Sequence, residues 1–165
     1  MEYSTAPESK LDPRIKNVWR INDALWIVIG ALVCALPFML LSGLDDDAAW
    51  AAVIMIAEVV IAVLLLVLFL GVLPPIRYAR WRYRVSADYL EIREGIVWRK
   101  HYVIPFIRVQ NTDTRQGPIM RAFGLASVTV ATAAGEHEIP GLRTADAEVL
   151  RDKAAELARL AREDV

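Results

Sequence analysis

The stretch Arg108–Val130, RVQNTDTRQGPIMRAFGLASVTV, joins a polar tract to a Gly-Pro turn, a short apolar hook and a run of alternating valines. Its periodicity decides the fold of the C-terminal half. Ile107 to Thr114 reads as a strand, Gln116-Gly117-Pro118 as a turn, and Val128 and Val130 alternate with Thr129 as in a strand with one buried face. Between them Ile119, Met120, Ala122 and Phe123 make about one helical turn that tucks an apolar edge inward, and Gly124 ends it. The hook is a corner. Only its exposed charges, Arg108, Arg115 and Arg121, remain as candidates for contact with a ligand or partner.

Downstream, a turn at Gly135 leads to a short return in HEIPG, residues 137–141. Thr144 then reads as an N-cap, with Asp146 and Glu148 in the first turn. Val149, Leu150, Ala154, Leu157 and Ala161 recur at three- and four-residue spacing, which predicts an amphipathic helix over 144–163. Upstream, Trp81, Tyr83 and Val85 alternate with Arg82, Arg84 and Ser86, and a turn at Ala87-Asp88 leads to a strand that places Leu90 and Ile92 on one face. Gly95 supplies a hairpin corner, and Ile96 to Ile104 returns with Ile96, Trp98, Tyr102 and Ile104 in phase. Pro105 then bends the chain, because it has no N–H to give to a ladder. Residues 74–165 are thus expected to form a small, strongly bent sheet or split β-barrel whose open end the C-terminal helix covers.

The N-terminal half follows other rules. Of the 165 residues 56% are hydrophobic, too many for a soluble domain of this size, and the excess is concentrated in two runs. Ala24 to Leu44 carries no charge, and Ala48 to Leu73 carries only Glu58. Each run is long enough, as a helix, to cross a hydrocarbon layer of about 30 Å. The chain is therefore expected to divide into an N-terminal tail over 1–23, a transmembrane hairpin over 24–73 with helices 24–44 and 48–73, and the soluble domain. The first ten residues, rich in Ser, Pro and Glu, read as a disordered end of that tail. The first run has no small-residue cleavage pattern behind it and is not a cleavable signal peptide.

Asp45, Asp46 and Asp47 form the turn between the helices, and three adjacent carboxylates on a tight turn mark topology better than they hold a cation. Lys10, Arg14, Lys16 and Arg20 precede the first helix, while Arg77, Arg80, Arg82 and Arg84 follow the second. Short flanks rich in Lys and Arg stay in the cytoplasm, which predicts an inner-membrane protein with both termini inside. Trp19, Trp26, Trp50, Tyr78, Trp81 and Tyr83 fall where aromatic belts are expected.

Several function classes fall away. Cys34 is a lone thiol in mid-helix, and His101 and His137 have no cysteine partners at metal spacing. No nucleophile elbow, phosphate-binding glycine loop or zinc-helix motif occurs, so neither an enzyme, a metal, a cofactor nor a small-molecule substrate is expected. The juxtamembrane cations come without a recognition helix or stacking platform, which argues against nucleic acid. They can instead attract an anionic lipid surface at roughly 1 kcal/mol each, and Arg77, Arg80, Arg82 and Arg84 with Arg99 and Lys100 form one candidate set. Glu58 lies eight residues beyond Trp50, about 12 Å along a helix, at a depth where an acid is either simply tolerated, for example by snorkelling outward, or hydrogen-bonds to the first helix or to another subunit.

Ile104-Pro105, Arg108-Val109-Gln110, Gln116-Gly117-Pro118 and Arg121-Ala122-Phe123-Gly124-Leu125-Ala126, following a membrane hairpin, resemble the YdbS-like family of bacterial pleckstrin-homology-like (bPH2-type) membrane proteins, and the resemblance covers nearly the whole chain. It implies an α+β membrane protein: a two-helix transmembrane hairpin followed by a pleckstrin-homology-like split β-barrel capped by a C-terminal amphipathic helix. It also implies an association with envelope stress and antimicrobial-peptide resistance. The loop Ser86-Ala87-Asp88 is short and acidic where phosphoinositide-binding relatives are basic, and no Trp follows Trp98. Both departures speak against a phosphoinositide pocket. The expectation is a non-enzymatic interaction module that binds a protein partner, either a related membrane protein or a second copy. An anionic-lipid sensor is the first alternative, and an accessory subunit of a transporter or lipid-processing complex the second.

Overall fold

The computed structural model describes residues 8–42 and 49–163; the expected turn Asp45–Asp47 lies outside them. The chain divides into a unit over Trp19–Pro75 and a second unit that combines the N-terminal residues up to Val18 with Ile76–Val165.

The first unit is helical because its apolar residues satisfy every backbone group internally, as a lipid environment demands. Helix α1 spans Ile15–Ser42 and α2 spans Ala49–Leu66; a π-helical turn, Val67–Val72, connects α2 to α3, Leu73–Arg80. Two features depart from expectation. Helix α1 begins at Ile15, well before Ala24, and the second helical run passes through Pro74-Pro75 instead of stopping at Leu73. The reason lies in the backbone. Pro74 has no N–H for the carbonyl of Leu70, and the Nε–H of Arg20 donates to that oxygen at 2.8 Å. The N–H of Leu73 meanwhile reaches back five residues to the Leu68 carbonyl, the wide turn that lets a helix absorb such an interruption. Arg20 therefore does more than mark topology.

In the second unit six strands form two antiparallel three-stranded sheets, β1-β2-β3 and β4-β5-β6. The strands are β1 Arg82–Val85, β2 Tyr89–Glu94, β3 Lys100–Pro105, β4 Val109–Arg115, β5 Leu125–Thr132 and β6 Gly135–Arg143. Leu90 pairs with Ile104 and Ile92 with Tyr102 across β2 and β3; Val128 pairs with Ile139 across β5 and β6. Leu90, Ile92, Ile104, Val128, Val130 and Ile139 are all buried, as the alternation predicts, but β5 is not a strand with one buried face: Ser127 and Thr129 are buried as well, so it is covered on both sides. A single 3-10 turn, Phe106–Arg108, carries the chain from one sheet to the next, and Phe106 on it is fully buried.

The C-terminal helix α5, Thr144–Glu163, packs against β4, the 3-10 turn, β5 and β6. Its inner face is built on Ala147, Ala154 and Ala158, all buried, and small side chains let the helix lie close to the sheet. Val149, expected on that face, is 67% exposed. Thr144 does not cap its own helix. Its hydroxyl donates to the Gly124 carbonyl at 3.1 Å and accepts from Nε2 of Gln116 at 3.1 Å. Gln116 Nε2 also donates to the Leu125 carbonyl at 2.8 Å. The hook, α4 over Pro118–Ala122, is thereby tied at both ends to the start of α5, although Ala122 within it is exposed. Gln116→Ala removes a donor from the Leu125 carbonyl and from the Thr144 hydroxyl, which keeps its own bond to Gly124, and is expected to destabilise this unit by about 1–3 kcal/mol. Faster proteolysis of the hook in the full chain would register it, and an unchanged cleavage rate would refute it.

Three expectations near β1 are corrected. Trp81 is 2% exposed and belongs to the core, not to an aromatic belt. Ile96–Arg99 is not a strand: β3 begins only at Lys100, because Gly95 adopts φ 109° and the chain turns back through the next residues. Residues 8–18 are not a free tail. Ser9 and Tyr83 exchange backbone hydrogen bonds at 2.8 and 3.1 Å, Asp12 N–H donates to Gly141 O at 2.9 Å, and Leu11 and Ile15 are buried. A few apolar residues among charges gave too weak a period to reveal this contact.

Candidate functional site

Helices α1 and α2 leave an apolar groove of about 600 Å³ between them, lined from one side by Trp26, Gly30 and Cys34 and from the other by Ala57, Glu58 and Ile61. The space beside Gly30 on the α1 wall is open, since a Cβ there would meet nothing within 4 Å. Glu58 Oε1 is buried and makes no hydrogen bond. A carboxylate oxygen in that position lacks both water and a donor, which is costly in an apolar setting.

The basic candidates separate into groups that the sequence did not distinguish. Arg82 Nη1 donates to the carbonyls of Trp81 at 2.6 Å and Tyr78 at 3.3 Å, so it serves the local backbone. Arg84 lies 3.5 Å from Glu8 and 3.7 Å from Glu91. Arg115 pairs with Glu136 at 3.1 Å, both well exposed, a contact worth little to stability. Arg108 lines a shallow hollow with Arg162, whose Nη2 donates to the Val109 carbonyl at 2.8 Å. Arg121 is exposed on α4, and Arg77 lies in the last turn of α3. The hook's three arginines thus do not converge. Arg80, Arg99 and Lys100 do, in a hollow of about 390 Å³ that they share with Arg93, Glu94 and His101.

Arg93 and His101 were missed from the sequence because each reads as an outward-facing strand residue; only the pairing of Arg93 with His101 across β2 and β3 brings them side by side. Among the described residues no three His, Cys, Asp or Glu side chains converge as a metal site. Burial raises the Tyr83 phenol above its usual range, against an opposing hydrogen bond with Ser9, so the phenol stays protonated where the N-terminal segment joins β1.

Residues 23–158 match the family model described as the bacterial PH domain. The chain belongs to the bacterial PH-domain family. A relative agrees with this assignment: the transmembrane protein YdbS of Bacillus subtilis (strain 168) is 35% identical over 161 residues, covering 96% of this chain and 98% of that protein. No solved structure matches. The bacterial PH-domain match includes both apolar helices as well as the sheets and most of α5, so the membrane hairpin is part of what the family shares. The chain is accordingly a transmembrane protein with a PH-like domain, and its two sheets and closing helix are that domain.

Proposed function

We propose that this protein is a non-enzymatic membrane module of the bacterial inner membrane, with both termini in the cytoplasm, whose helix pair receives an apolar helix of a related membrane protein. The observation that carries this reading is Glu58, with its Oε1 buried and unpartnered in the groove between α1 and α2. The occupant must bring a hydrogen-bond donor to that depth. A second copy would bring no Arg, Lys, His or amide side chain on either apolar run, Ala24 to Leu44 or Ala48 to Leu73. A different chain with an Arg, Lys, His or amide at the matching depth meets the need. The small lining residues Gly30, Ala31 and Ala57 favour close approach of a third helix. The cations that flank both helices support the assigned orientation.

Glu58→Leu is expected to weaken recovery of the native complex roughly five- to thirty-fold, the effect of losing one interhelical polar contact of about 1–2 kcal/mol, while Glu58→Gln retains much of it. Affinity purification in mild detergent, read by native gels and mass spectrometry, measures both. Equal recovery of wild type and Glu58→Leu sinks the proposal. Co-purification of two differently tagged copies and no other chain would replace the related protein by a second copy.

A further inference from the structure

The connection between β2 and β3 combines features that neither the fold nor the helix groove requires. Val97 and Trp98 at its tip are each 82% exposed, more than any large hydrophobic residue described on the membrane helices, where Val53 reaches 68%. The tip is held in one shape. Gly95 has φ 109°, and a Cβ on it would meet the Trp98 carbonyl oxygen at 1.8 Å, so the turn closes too tightly for a side chain. The Arg80 guanidinium donates to the Ile96 carbonyl from the other side.

Behind this tip lies the basic hollow. Arg93 is engaged by Glu8 at 2.6 Å, but Arg99 and Lys100 form no ion pair among the described residues. Arg93 also lies 3.7 Å from Glu91, so the cations of the hollow that carry no ion pair among the described residues are Arg80, Arg99 and Lys100, with Glu94 the carboxylate in its lining. Two adjacent apolar side chains in front of free cations make a poor surface for water and a good one for a lipid headgroup layer, where the indole is favoured and cations meet phosphates.

We propose that the β2–β3 tip is a membrane wedge: Val97 and Trp98 enter the interface of an anionic leaflet, and Arg99 and Lys100, with Arg80 behind them, hold the phosphate of an anionic phospholipid. This site is distinct from the β1–β2 loop, which is acidic, and from the Glu58 groove. It binds the lipid surface by a phosphodiester and an apolar layer together, so a free phosphate meets only half of it.

The test uses the full chain, with Cys34→Ser and an environment-sensitive fluorophore on Val97→Cys, in nanodiscs of phosphatidylcholine alone or mixed equally with phosphatidylglycerol. The inserted fraction of the tip is expected to rise roughly tenfold in the anionic discs, read as a blue shift and protection from aqueous iodide. Arg99→Glu with Lys100→Glu, both at exposed positions that leave the core untouched, should return the probe to its state in neutral discs. Inorganic phosphate added to neutral discs should leave it there. Equal iodide access in the two discs overturns the proposal, as does protection that survives charge reversal, which would place the tip against protein. Protection produced by inorganic phosphate alone would overturn it in favour of a soluble anion.

Discussion

Phe106→Ala is expected to destabilise the soluble unit by about 3–5 kcal/mol, the usual cost of deleting a fully buried phenyl ring. The ring is 0% exposed and stands on the one turn that carries the chain from β3 to β4, between the two sheets. Its backbone N–H donates to the Asp88 carbonyl at 2.9 Å, and α5 packs over the same turn. A cavity there therefore loosens both sheets and the closing helix together, and the backbone tie to the β1–β2 turn limits how far the site can collapse. Hydrogen exchange on the full chain in detergent measures the effect: protection of the Val128 and Val130 amides should fall by two orders of magnitude or more, at 1.4 kcal/mol per decade. Ile107→Ala, one residue on and 46% exposed, should change protection by less than tenfold. Equal losses from the two variants would mean that Phe106 does not link the sheets.

The second large effect is expected at Gly141. Its φ is +64°, and a Cβ would lie 2.4 Å from Cγ1 of Ile15. Gly141→Ala combines a left-handed backbone on a residue with a side chain, about 1–3 kcal/mol, with overpacking of a buried isoleucine, about 1–3 kcal/mol more. The relief available is to expel the segment around Ile15, which also breaks the bond from Asp12 to the Gly141 carbonyl. Amides from Ser9 to Ile15 should then exchange far faster, while β5 keeps most of its protection. Ile15→Ala alone is expected to cost about 2–5 kcal/mol. Combined with Gly141→Ala it should cost less than the sum, because the smaller side chain makes room for the new methyl. Strict additivity would show that the two residues do not meet.

The candidate sites were only partly legible in the sequence. Glu58 stood out because a single acid in a long apolar run violates the pattern around it. Its groove did not, since Gly30 and Ala57 are ordinary membrane residues until two helices place them opposite one another. The basic set was read as a juxtamembrane band, Arg77 to Arg84, with Arg99 and Lys100 added. Folding divides that band: Arg82 and Arg84 are taken up by local carbonyls and carboxylates, while Arg80 joins Arg93 from a neighbouring strand. Trp98 misled for a related reason. It keeps strand phase with Tyr102 and Ile104, but periodicity does not register that Gly95 at positive φ shortens β3 and leaves the indole at the tip.

By itself the sequence determined what depends on neighbours along the chain. Two apolar runs must become helices in a lipid layer, since no other local structure satisfies their backbone, and alternation over β2 sets which of its residues face inward. Tertiary structure alone decided what depends on residues far apart in number. Arg20 supplies the donor that Pro74 withholds from Leu70, Ile15 fits against a glycine near the other end of the chain, and the Arg108–Val130 hook is fastened by Gln116 and Thr144. Each is a hydrogen bond or a steric fit between single groups, which carries no period, so only the folded chain brings the partners within reach.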